Sequence, residues 1–391
     1  MSKVLVTDAQ MRSSLAVIRS LGKKGVYVTA GEETRFTTGF FSKYCKERVV
    51  YPSPTKDPEG FVEYLIQLIK KEQFDVIFPV ADACLKPIMD NWEEISKYTK
   101  IALPSPEIFM KGYDKGLTLK IAIENGLPCP KTFFINDVEE LNKIKDNLEY
   151  PVVIKPRISS GRRGVKICNF WDELHTDFKK ISSNYGKVLI QEYIPYGGEL
   201  GVYTLFNNGS EPKNVTVQKR IRSYPVSGGP STLRKTIKNE TSNKAIETAF
   251  KLLKAMNWEG VGMVEFRVDS RDNSLKLMEV NPRFWGSLQL SILAGADFPY
   301  RLYKMIMNED IDEDLDYKED IYCRWLLPGD ILWFLNSPNK LKNIKKLLNF
   351  SNPDDMLSWS DPGPTFGFIL ATLRYIFDKD MWKFVLRKDD D

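Results

Sequence analysis

The sequence predicts an α/β domain, then a mixed α+β region, then an aromatic-rich extension. Three observations carry this. Strand and helix patterns alternate over the first hundred residues. Pro104 and Pro106 interrupt the rhythm. Beyond them, several strand patterns follow one another, with helices between only some of them.

Taken in order, "KVLVTDA" is an apolar strand and "SSLAVIRSLGKKG" a helix, with Ser13 or Ser14 as its cap and Gly22 or Gly25 near its end. "VYVTAG" is a strand, "DPEGFVEYLIQLIKKEQ" an amphipathic helix and "DVIFPVAD" a buried strand. Such alternation builds a parallel sheet wrapped by helices. The turn "TDAQMRSS" lacks G-x-G-x-x-G, which excludes a nicotinamide dinucleotide reading. After the prolines, "KGLTLKIAIENG" is a helix stopped by Gly126. The strands "PVVIKP", "VLIQEYI", "ELGVYTLFNNG" and "NVTVQKRIRSYP" come next, then the helix "SNKAIETAFKLLKAMNW" and two strands near 262–281. From about 305 the chain is rich in Trp, Phe and Leu. "PTFGFILATLRYIFDKDMWKFVL" reads as an amphipathic helix that packs on the body, with a membrane-surface or dimer contact as the alternative. "RKDDD" reads as a frayed tail.

Composition narrows the function. The 391 residues suggest two or three domains of roughly 150 each. A net charge of +4 argues against a dedicated nucleic-acid binder. Five dispersed cysteines without a C-x-x-C pair fit reduced thiols and a cytoplasmic location. His175 is the only histidine; it reads as a solvated residue and makes a Ser-His-Asp triad or His-rich metal site improbable. The N-terminus reads as a strand rather than a signal peptide, and no run approaches the roughly 18 apolar residues of a membrane span.

Within "MVEFRVDSRDNSLKLMEVNP" two alternating runs flank the polar turn "SRDNS". A turn centred on Asp272 sets Glu265 opposite Glu279, with Asn281 two residues on and on the same face. Val264, Phe266 and Val268 then face the other way with Met278 and Val280. Opposed side chains lie about 5 Å apart, where two carboxylates repel by roughly 3 kcal/mol at an effective dielectric of about 20. A cation would reverse that cost, and an all-oxygen face suits Mg²⁺. A solvated strand face with ordinary acids accounts equally well for the hairpin taken alone. "YPVVIKPRISSGRRGVKIC" delivers Lys155 at a strand end, then a loop with Gly161 and Gly164, where backbone N–H groups and Arg162 or Arg163 could meet phosphate. It is not a Walker A loop. "VLIQEYIPYGGELGVYTL" offers a strand edge of the kind that meets a purine rim, or a plain strand and turn.

In this order, "YDKG", "PVVIKP…SSGRRGV", "IQEYIP", "MVEF" and "LMEVNPR" resemble the ATP-grasp superfamily over Lys111 to Ala296, most closely the carbamoyl-phosphate synthase large-chain and biotin carboxylase branch. The resemblance implies a Rossmann-like pre-ATP-grasp domain over 1–105 and an ATP-grasp domain over 106–305. Within the latter, the lid lobe spans about 125–190 and the Mg²⁺ lobe about 191–305; 306–391 is a helical, aromatic extension. It implies that Lys115 and Lys155 contact ATP phosphates. Ser159 to Val165, with Ser160, Gly161 and Gly164, would form the lid. Glu192 C=O and Ile194 N–H, flanking Tyr193, would hold adenine, and Gln191 or Glu199 the ribose. Glu265, Glu279 and Asn281 would bind two Mg²⁺ ions, with Mn²⁺ as a substitute, and Arg283 would sit beside the phosphoryl group and substrate carboxylate. The lid has fewer glycines than richer versions.

The segment "QKRIRSYPVSGGPSTLRKT" adds Lys219, Arg220, Arg222, Arg234 and Lys235 around a Gly-Gly-Pro loop. Arg222 and Arg234 are expected to hold the acceptor carboxylate and developing phosphate; a basic surface loop is the alternative. The resemblance implies an ATP- and Mg²⁺-dependent carboxylate-amine ligase working through an acylphosphate on small-molecule substrates. The alternatives are a carboxylase- or kinase-like member, or an inactive nucleotide-binding regulator. No carrier-like "MKM" is present. Oligomeric state stays open, a dimer being common for such folds.

Overall fold

The computed structural model describes residues 2–225 and 229–375, the last two by backbone alone. Part of the Gly-Gly-Pro loop, residues 376–386 of the expected C-terminal helix and the "RKDDD" tail lie outside the described residues. The chain divides into two compact units. One holds residues 1–103, 212–237 and 283 onward; the other holds 104–211 and 238–282. Compactness thus follows different lines from the linear segments 1–105, 106–305 and 306–391.

The first unit opens with a five-stranded parallel sheet of β1 (Lys3–Val6), β2 (Tyr27–Glu32), β3 (Glu47–Val50), β4 (Val76–Phe78) and β5 (Lys100–Ile101), in the order β3-β2-β1-β4-β5. Val4, Leu5, Val6, Val76, Ile77 and Phe78 are all buried, as strands covered on both faces require. The helix Pro58–Glu72 starts where Asp57 accepts from Gly60 N, with Pro58 pre-set at its first position. It stops at Gln73 in the left-handed region. The first helix departs from expectation. It spans Arg12–Lys23 behind Met11, and no side chain caps it. Ser13 and Ser14 are buried inside it, and Ser14 Oγ donates to Thr7 O instead.

The second unit begins with β6 (Thr132–Ile135), β7 (Val152–Pro156), β8 (Lys166–Cys168) and β9 (Val188–Glu192), an antiparallel sheet in the order β6-β9-β7-β8. Helix Trp171–Tyr185 covers it through Leu174, Phe178 and Ile181, against Val152, Ile154, Val188 and Ile190. Each such side chain contributes about 1.5–3 kcal/mol by leaving water. His175 stacks on Trp171 of this helix. β10 (Tyr196–Phe206) follows in the same unit.

β11 (Pro212–Ser223) and β12 (Ser231–Thr236) return to the first unit as an antiparallel pair. Helix Glu240–Ala255, with a reciprocal cap between Asn239 and Ser242, leads back to β13 (Gly260–Asp269) and β14 (Leu275–Asn281). Both run antiparallel, β13 pairing with β10 on one side and β14 on the other. β15 (Tyr322–Arg324) then joins β12 in the first unit. The extension after 305 packs on the first unit through ion pairs of Arg12 with Asp355 at 2.8 Å and Arg19 with Asp361 at 2.9 Å.

Candidate nucleotide site

β13 and β14 place Glu265 opposite Glu279 and Met263 opposite Asn281. The register is not the uninterrupted one the turn predicts. Near the turn Val268 faces Leu275 and Phe266 faces Leu277; the register then shifts between Phe266 and Glu265. Met278 is the extra residue of this bulge, and it restores Glu279 to its place across from Glu265. Here the alternation changes. Leu275, Leu277 and Val280 are buried, while Met278 leaves the core face it was expected to share with Val280. Its carbonyl accepts a 3.5 Å bond from Lys155 Nζ.

Lys155 ends the buried run of β7 and is only 6% exposed. Burial pushes its ammonium down to about 8; Glu279 opposes this, and Lys115 and Arg267 add to it. Lys115 starts helix Lys115–Glu124, whose first turn is capped by Asp114 through Gly116 N at 2.7 Å. Its Nζ donates to Ser159 O at 2.6 Å and lies 3.3 Å from Glu279 Oε2. Burial alone would raise the Glu279 carboxyl. Lys115 and Lys155, helped by a bond from Asn281 Nδ2 at 3.2 Å, outweigh it and hold the group below the ordinary carboxylate range.

The loop after β7 is built on left-handed residues: Gly161 at φ 64°, Arg162 at 62° and Gly164 at 73°. A side chain at Gly164 would meet Pro156 at 2.8 Å, whereas Gly161 faces open space. Arg163 folds back on the loop, its Nη2 donating to Ser160 Oγ at 2.8 Å. Val165 N bonds to Arg162 O at 3.2 Å. At the loop's base Arg157 grips Asp114 with two bonds of 2.9 and 2.6 Å. The same carboxylate therefore caps the lysine's helix and anchors the loop. Sequence reasoning missed this pair. Asp114 was legible as a helix cap in "YDKG", but nothing local marks Arg157 as its partner.

At the end of β9 the Gln191 side chain is buried and donates to Thr132 Oγ1 at 2.7 Å, toward β6. Glu192 N bonds to Lys131 O, and the Glu192 carboxylate receives Arg271 at 2.5 Å. Tyr193 is half-buried and Ile194 buried. Arg267, a second residue missed from sequence, donates to Ile194 O at 3.4 Å and to Glu199 at 3.0 Å.

The three arginines expected at the chemistry belong to the first unit. Arg283 forks onto Asp82 at 2.7 and 3.2 Å. Arg222 donates to Asp330 at 2.8 Å and lies over Trp333. Arg234 is 1% exposed and paired with Asp355, so its side chain meets a buried carboxylate where solvent or substrate was expected. Lys235 pairs with Asp320 at 2.6 Å; Lys219 is exposed and Arg220 half-buried.

Two buried lysines, a glycine loop and a pair of opposed carboxylates are thus carried by two antiparallel sheets, their loops and the start of helix Lys115–Glu124. Residues 114–313 match the family described as the carbamoyl-phosphate synthase L chain, ATP binding domain. The chain belongs to this family, within the ATP-grasp superfamily. It is 27% identical over 230 residues to the formate-dependent phosphoribosylglycinamide formyltransferase of Wolinella succinogenes, covering 56% of each chain. Its fold matches the biotin carboxylase domain dimer of Hydrogenobacter thermophilus 2-oxoglutarate carboxylase, solved with MgADP, ADP and bicarbonate. The TM-score is 0.68 at 18% identity, over 82% of this chain and 73% of that one. It also matches the L-amino acid ligase of Bacillus licheniformis, with a TM-score of 0.62 at 18% identity over 78% and 74%. The chain spans about half the length of the curated relative.

Proposed function

We propose that the chain is an ATP- and Mg²⁺-dependent ligase that joins a small-molecule carboxylate to an amine through an acylphosphate. One observation carries this reading. Lys115 Nζ lies 3.3 Å from Glu279 and 2.6 Å from the Ser159 carbonyl of the glycine loop, and the buried Lys155 Nζ lies 3.5 Å from the carbonyl of Met278, the residue before that carboxylate. Two ammonium groups beside one carboxylate, one of them also on the glycine loop, suit a triphosphate, for which positioning and charge neutralisation are most of the catalysis. The reading of residues 1–105 as a Rossmann-like pre-ATP-grasp domain belongs to this proposal.

The donor set fits the cation. Among the described residues no group of three or more His, Cys, Asp or Glu comes together. The site offers two carboxylates and the Asn281 amide, all hard oxygens. Mg²⁺ takes few protein ligands and completes its shell with water and phosphate, and Mn²⁺ accepts the same set. When bound, it supplies neutralisation of phosphate charge. Glu279, between Glu265 and Asn281, is the ligand two ions would share. Lys115 and Lys155 hold phosphate oxygens, and the Ser160 to Val165 backbone closes over them. Glu192 C=O and Ile194 N–H take the adenine edge beside Tyr193. Gln191 is turned toward Thr132, so we assign the ribose to Glu199. Asp82 shows how a carboxylate sits in the Arg283 fork, and we assign that fork to the substrate carboxylate.

The substrate carboxylate oxygen attacks the γ-phosphorus and ADP leaves. The amine nitrogen then attacks the acyl carbon. A C–N bond forms, the C–O bond to phosphate breaks, and the amine's proton passes to water. ADP release across a panel of carboxylates and amines, with hydroxylamine trapping of the acylphosphate, tests this. A hydroxamate that forms only with ATP and one carboxylate class is expected. Release driven by bicarbonate would turn the reading to a carboxylase. Nucleotide binding without turnover over the whole panel would turn it to a regulator.

A further inference from the structure

We propose that the surface formed by helices Ile331–Asn336 and Lys340–Leu347 docks reversibly on anionic lipid headgroups. From Ile331 to Pro353 the sequence has four lysines and no acidic residue, so this stretch alone matches the whole chain's net charge of +4. Lys340, Lys342, Lys345 and Lys346 are all exposed on one short helix. Leu341, Ile344 and Leu348 follow at spacings of three and four and share a face. Leu341 is 92% exposed and Leu348 58%; Phe350 beyond them is 66% exposed, and Leu335 on the preceding helix is also exposed.

This surface is held rather than loose. Arg324 donates to Leu347 O at 3.0 Å and Asn349 O at 2.8 Å, and its own guanidinium is fixed by Asp330. Asn343 ties the helix to Pro338 O at 2.9 Å, and Trp333 of the preceding helix is buried. The body thus grips the helix through its C-terminal carbonyls and turns its apolar comb outward. Scattered single exposed leucines need no explanation, but five large apolar side chains within sixteen residues, interleaved with four cations, do. The charge says the occupant is anionic. The leucines and phenylalanine say it accepts apolar side chains, which a nucleic acid does poorly. A lipid interface meets both terms, with the helix lying in the plane and its apolar face sunk past the headgroups.

The full chain should co-sediment with phosphatidylcholine vesicles containing about a third phosphatidylglycerol, and not with phosphatidylcholine alone. Added salt should release it. Each lysine replaced by glutamine should weaken binding about fivefold, and Leu341→Ser with Leu348→Ser should abolish it, with unchanged melting temperature in both variants. Absence of binding to anionic vesicles overturns the proposal, as does equal binding to neutral ones. So does binding that survives the serine variant, the mark of a surface for an acidic protein or nucleic acid. A serine variant that changes only the oligomeric state in lipid-free buffer would assign the face to a second copy of the chain instead.

Discussion

Replacing Glu279 with glutamine removes one charge from a site where attraction and repulsion compete, and the balance can be worked out. Lys115 Nζ is 3.3 Å away, a gross attraction of about 5 kcal/mol at an effective dielectric of about 20. Glu265 stands directly opposite, and two carboxylates at the roughly 5 Å of opposed side chains repel by about 3 kcal/mol on the same scale. The difference between these two is about 2 kcal/mol in favour of the charged form; burial works against it and Lys155 adds to it. Its sign agrees with the lowered Glu279 carboxyl. A carboxyl held low in the folded state stabilises above its unfolded value and loses that contribution as pH falls. Glu279→Gln should therefore destabilise the ligand-free protein at neutral pH by about 2 kcal/mol, a melting temperature lower by about 4–8 °C. It should also abolish Mg²⁺-dependent ADP release. Differential scanning fluorimetry and a double-mutant cycle with Lys115→Met would measure both partners. A Glu279→Gln protein that melts higher than the parent would refute the reasoning, since burial and the repulsion from Glu265 would then have outweighed Lys115 and Lys155.

Three further outcomes are expected. Arg157→Ala should free the glycine loop from Asp114, raising KM for ATP about tenfold and speeding proteolysis within Ser159–Val165, at a cost in stability of about 1–2 kcal/mol for a partly exposed pair; unchanged cleavage would dismiss the clamp. Arg234→Ala should destabilise the first unit by about 3–5 kcal/mol, because it leaves Asp355 buried beside one cation fewer. A stable Arg234→Ala protein with raised KM for the carboxylate would restore the substrate role read from sequence. Burial first, and Asp8 second, push the Glu32 carboxyl up to about 7. Its raised value means stability is full below the unfolded pKa and falls as pH rises through about 7. Glu32→Gln should then melt higher than the parent at pH ~8 and the same at pH ~4, by about 3 kcal/mol at the upper end; parallel melting curves across that range would contradict it.

The local order of this protein is legible in its residues. The β1-to-β5 alternation, the hairpin of β13 and β14 and the strand that delivers Lys155 all follow from side-chain period, because a strand exposes alternate residues and a helix every third or fourth. The facing of Glu265 and Glu279 is legible from the turn, and the ordered motifs point to the family. The sequence did not disclose the Met278 bulge. A single extra residue shifts the period-2 phase, but Met278 is apolar, so the residue types on either side of it give no sign of the shift.

Ion-pair partners were equally hidden. Arg283 meets Asp82, Arg222 meets Asp330 and Arg234 meets Asp355, partners 201, 108 and 121 positions away. Arg222 and Arg234, on either side of a glycine loop, read as a phosphate grip until the fold supplies carboxylates that meet them first. Sequence by itself determined which segments are strands, which residue types face each other across a hairpin, and therefore the class of chemistry. Only the tertiary structure decided which charges remain for a ligand. Charge pairing depends on three-dimensional distance, and the chain sets that distance by packing elements far apart in sequence.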